Sequence, residues 1–113
     1  MQKEIRRLKS LLGMQGWTVR VAPVSQEVID EEMGPGYQAY CEAEAGPQRA
    51  YIAHDKNQSA EGMRHAIAHE MVHALAVELG VTPSRGAEMY AVPGYIMENF
   101  IDRVAAALTK EGV

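Results

Sequence analysis

Chemistry in this chain centres on two histidines one helical turn apart with a glutamate beside the first: His69-Glu70-Met71-Val72-His73. At about 100° per residue, positions i and i+4 of a helix differ by about 40° around the axis and about 6 Å along it, so both imidazoles can reach one ion from one face. Glu70 follows by a single residue and leans to the side of that face. A carboxylate there is placed to take a proton from water activated by a metal rather than to ligate the metal. The competing reading is an ordinary amphipathic helix with two surface histidines, since a pentapeptide of this kind also arises by chance. The flanking run argues for the metal: Ala, Leu, Met and Glu surround the motif with few breakers, and Gly80 gives a clean stop.

A catalytic zinc takes three protein ligands and keeps one position for water. The downstream carboxylates are Glu78, Glu88, Glu98 and Asp102. Glu78 shares the apolar stripe of the motif helix, about 140° from His73 at 100° per residue. Glu98 and Asp102 lie well along the last helix, about 15 Å or more beyond Glu88 at 1.5 Å per residue. Glu88 follows a short connection and would be near His73 once the last helix folds back, so it is the expected third ligand. Its alternative role is a carboxylate that suits a helix N-terminus. His65 shares the stripe of His69 and His73, but a helix curves away from one ion over eight residues, which points to a supporting or plain surface role.

These residues need a scaffold. The 113 residues are one domain by size, residues 1–113, and 47% apolar content is enough for one modest core. Net charge is −4 with the signs mixed and no basic block, so nucleic acid is not an implied partner and a DNA-binding repressor is disfavoured. No apolar run reaches the roughly 20 residues of a membrane span. The N-terminal stretch is charged without an apolar signal core, and the single cysteine, Cys41, suits a reducing compartment, so a cytoplasmic location is expected. Cys41 reads as a small half-buried strand residue rather than a nucleophile.

In chain order, residues 2–12 carry Ile5, Leu8, Leu11 and Leu12 at helical spacing and stop at Gly13. Residues 17–22 alternate as a strand, with Pro23 ending it or lying at an edge. Residues 25–36 read as loop, with an acidic triplet before Gly34-Pro35-Gly36. Residues 37–44 and 49–53 read as two strands joined through 45–48. Ser59 is the expected N-cap of the motif helix, whose buried stripe is Ile67, Met71, Ala74, Leu75 and Glu78. The last helix is expected from near Ser84 to Thr109, kinked or split at Pro93-Gly94. The predicted fold is α+β. A small three- to four-stranded, mostly antiparallel sheet packs on the motif helix, flanked by an N-terminal helix and a C-terminal glutamate-bearing helix.

Three stretches carry a family likeness: residues 50–53, His69-Glu70-Met71-Val72-His73-Ala74-Leu75, and residues 87–96. Across roughly residues 37–105 the chain resembles gluzincin-type metallopeptidases. More narrowly, it is similar to the very small single-domain peptidase-like proteins of phages and prophages related to the ImmA/IrrE group. The resemblance implies a zincin-like fold, one zinc on His69, His73 and Glu88, Glu70 as general base, and a peptide substrate added along a sheet edge. Pro93 in the ligand helix and the lack of a further subdomain depart from the larger members. With those departures, the resemblance implies an activity that is weak or restricted to a specific substrate. An oxyanion donor is still required, and Tyr90, Tyr95, Tyr37 and His54 are the candidates. The alternative function is a non-catalytic zinc-binding regulatory or interaction module, in which the ion ties two helices of a small domain.

Overall fold

A computed structural model describes the backbone of residues 1–80 and 94–111 and the side chains of residues 1–80 and 98–109. Its elements are α1 (Gln2–Leu12), β1 (Thr18–Val24), α2 (Gln26–Met33), β2 (Ala39–Glu44), β3 (Arg49–Asp55), α3 (Ala60–Glu78) and α4 (Gly94–Glu111). The fold is α+β, as the sequence predicts. The sheet has the order β1-β3-β2 and is evenly mixed: β1 runs parallel to β3, and β2 antiparallel to it.

The parallel pair follows from an element that the composition of residues 25–36 conceals. This segment reads as loop but contains α2. Ser25 caps it, its hydroxyl accepting from the Val28 amide at 3.4 Å, and Ile29 anchors it at zero exposure. A parallel pair needs a long crossover between its strands, and α2 with β2 supplies one. Ile29 packs with Tyr40 and Ala53, so α2 covers one face of the sheet.

The other face carries the main core. Ala50 and Ile52 of β3 alternate with Tyr51 and Ala53 and turn toward Ile67, Ala68, Met71 and Ala74 of α3. Leu8 of α1, Met14 and Trp17 close this layer, and Ala105 of α4 reaches it as well. Pro23 lies within β1, which is tolerated because β1 is an edge strand of the described sheet.

Gly13 ends α1 at φ 68°, and Gly80 follows α3 at φ 72°; both are left-handed positions that glycine takes without a Cβ clash. Arg7 and Glu4 together link three helices. The Arg7 guanidinium donates to Glu4 within α1 and to the Leu108 carbonyl of α4 at 3.0 Å, while Arg64 of α3 lies 3.7 Å from the same Glu4 carboxylate. Among the described residues, no helix is long and apolar enough to cross a membrane.

Candidate metal centre

Ser59 caps α3 as expected, accepting from the Gly62 amide at 3.0 Å, with the acidic Glu61 in the first turn. The helix buries Ile67, Ala68, Met71, Val72 and Ala74, which fixes its rotation. His65, His69 and His73 are left on a half-exposed flank. The rings of His69 and His73 have centroids 4.9 Å apart, close enough to face one ion together.

The carboxylate that meets them is Glu98 of α4. Its Oε2 lies 3.1 Å from Nε2 of His69, and its Oε1 lies 2.9 Å from Nε2 of His73. One turn further along α4, Asp102 lies 2.9 Å from Nε2 of His65 and 3.6 Å from Nδ1 of His69. The earlier carboxylate of α4 therefore pairs with the later histidine of α3, so the two helices run antiparallel. Glu98 thus bridges the two motif histidines by direct imidazole–carboxylate contacts, one through each of its oxygens.

Glu70 is buried, at 9% exposure, and offers a carboxylate oxygen within 4.8 Å of ring nitrogens of His69 and His73. Burial pushes its carboxyl above the usual range, an effect that the His73 and His69 charges oppose. Its charge also helps to raise the Cys41 thiol of β2. For His69, burial disfavours the charged form. The Glu98 hydrogen bond and the charges of Glu70, Glu98 and Asp102 outweigh it, so the imidazole is held above its usual value. Hydrogen bonds from His69 and His73 hold the Glu98 carboxyl well below the carboxylate range.

Two groups of side chains here could hold a metal ion: His69 with Glu70 and His73, and His65 with His69 and Asp102. Of the residues singled out in the sequence, the structure brings His69, Glu70 and His73 together. Glu88, the expected third ligand, lies outside the described residues, as do Tyr90 and the side chain of Tyr95. Of the other oxyanion candidates, Tyr37 is exposed at the surface, and Nδ1 of the buried His54 lies 3.2 Å from the Asp55 carbonyl.

Distance along the last helix sets Glu98 and Asp102 aside as partners of the motif, yet the structure brings both to the histidine stripe, while the expected helix start near Ser84 lies outside the described residues. A signal for them was present: their four-residue spacing matches that of the histidines. Glu78, set aside as a ligand, is engaged on the core side, where it accepts from the Gln48 amide at 2.8 Å.

An open groove of about 940 Å³ runs beside the N-terminal half of α3, bordered by Gln38, Glu61, Arg64, His65 and Thr109. Among the described residues β2 is an edge strand, and Cys41 and Ala43 on it pack toward α3. No protein-family model, curated protein or solved structure matches this chain.

Proposed function

We propose that this chain is a small zinc-dependent peptidase in which His69, His73 and Glu98 hold the ion and Glu70 is the general base. The observation that carries this reading is the Glu98 carboxylate, whose two oxygens reach the Nε2 atoms of both motif histidines. Two imidazoles and a carboxylate, with a further buried carboxylate one residue from the first histidine, match the donor set of a hydrolytic zinc site. The ligand role expected of Glu88 passes to Glu98 in this reading.

When bound, zinc supplies Lewis acidity, lowering the pKa of water toward neutrality and polarising a carbonyl. Glu70 takes the proton of the attacking water and hands it to the leaving amine. Its burial suits this task, because a carboxyl raised above its usual range gives up a proton less readily and is better matched to operation near neutrality. The peptide lies extended along the edge of β2 that pairs with no strand among the described residues, joined to it through its backbone, so that a scissile bond passes the α3 flank. The single, half-buried thiol suits the cytoplasm as the site of action.

A second reading has its own observation. Carboxylates of α4 meet histidines of α3 at two successive levels, so an ion here would also fasten the last helix to the body of the domain. In that reading the protein is a metal-stapled regulatory or interaction module without hydrolysis. Zinc content combined with Glu70→Gln separates the two. Zinc-loaded wild type that cleaves a peptide library, with a loaded but inactive Glu70→Gln, supports the peptidase. Stoichiometric zinc with no cleavage by wild type supports the module.

A further inference from the structure

The histidine stripe of α3 extends beyond the motif. His65, His69 and His73 follow at four-residue spacing on α3, and Glu98 and Asp102 do the same on α4. The two rows interlock, with Glu98 between His69 and His73 and Asp102 between His65 and His69. His69 is the shared member: its Nε2 turns to Glu98 and its Nδ1 to Asp102. His65, His69 and Asp102 offer ligand atoms that all lie within 4.8 Å of one another. Asp102 stands 2.9 Å from one histidine and 3.6 Å from the other, distances that bracket the separation of about 3.4 Å a tetrahedral ion requires.

The geometry points to a second seat for a divalent transition-metal ion, made of His65, His69 and Asp102, that overlaps the first seat through His69. Two imidazoles and a carboxylate suit zinc, and equally cobalt, nickel or copper. The overlap has a chemical consequence. A neutral imidazole has one nitrogen free to bind a metal while the other keeps its proton. His69 therefore serves one seat at a time, through Nε2 in the first and Nδ1 in the second. An ion in the second seat has His65 and Asp102 as its partners instead of His73 and Glu98. The chain can then carry metal without the ligand set on which the proposed hydrolysis depends. That latent state rests on the peptidase reading; the second seat itself does not.

The test measures zinc affinity by competition with a chromophoric chelator, with far-UV circular dichroism confirming that each variant is folded. The double variant His73→Ala/Glu98→Gln lacks the first seat and is expected to bind one zinc per chain still. Adding His65→Ala or Asp102→Asn to it should weaken binding about tenfold or more. Equal affinity of the double and triple variants overturns the second seat. If the double variant does not fold, His73→Ala alone serves. Zinc must then shift the ring-nitrogen resonances of both His65 and His69, and a shift confined to His69 overturns the proposal. Wild-type binding that survives Glu98→Gln but is lost with His65→Ala upholds the second seat while removing the first.

Discussion

Glu98 Oε2 stands 3.1 Å from Nε2 of His69, although 29 positions separate the two residues in the chain. The contact makes the packing of α4 on α3 part of the site. Ala105 and Ile101 of α4 are fully buried against the body of the domain, which holds the carboxylates of this helix opposite the histidines.

Glu70→Gln separates the base from the ligands. The variant should bind zinc as the wild type does and lose hydrolysis by about 10²–10⁴-fold. It should also change the stability of the metal-free protein. The carboxyl of Glu70 is raised by burial above its unfolded value of about 4.3. Between those two values the folded chain binds the proton more tightly than the unfolded chain, so stability falls as pH rises through that window. Glutamine has no such dependence. In a chelator, Glu70→Gln should melt above wild type at pH 7, and the gap should close as pH falls toward about 4. A variant that melts below wild type at pH 7 would contradict the burial argument.

Metal removal should loosen the last helix. An ion bound only by the folded chain at 100 times its dissociation constant stabilises by about 2.7 kcal/mol. For a domain of this size that corresponds to a melting shift of roughly 10 °C. Melting curves with zinc and with a chelator check this, and coincident curves would show that no ion bridges α3 and α4.

Cys41 should be inert in the folded protein. Burial pushes its thiol far up, and the neighbouring charges of Glu70 and Glu42 push it further. Little thiolate then exists at pH 8 to react. A thiol reagent should modify it slowly in the native state and rapidly after denaturation; equal rates would place the side chain in solvent.

Much of this arrangement was legible in the sequence because local chemistry dictates it. Ser59 and Gly80 bound the motif helix, and the spacing of Ile67, Met71 and Ala74 fixes its buried face. That leaves the histidines on the other flank. Two features were not legible. The acidic run Asp30-Glu31-Glu32 masks α2, whose hold on the sheet comes from Ile29 packing against residues distant in sequence. The carboxylate facing His69 depends on the register of α4 against α3. That register is set by tertiary contacts such as Ala105, not by distance along a helix.

The most direct measurement is zinc stoichiometry and affinity for wild type, Glu98→Gln and Glu88→Gln, each purified without added metal and analysed for elemental content. One zinc is expected per wild-type chain, the same for Glu88→Gln, and a loss of roughly 100-fold or more in affinity for Glu98→Gln, since even an outer-sphere partner of a metal ligand is worth 10–100-fold. Full zinc retention by Glu98→Gln, with loss in Glu88→Gln instead, would contradict the ligand role of Glu98.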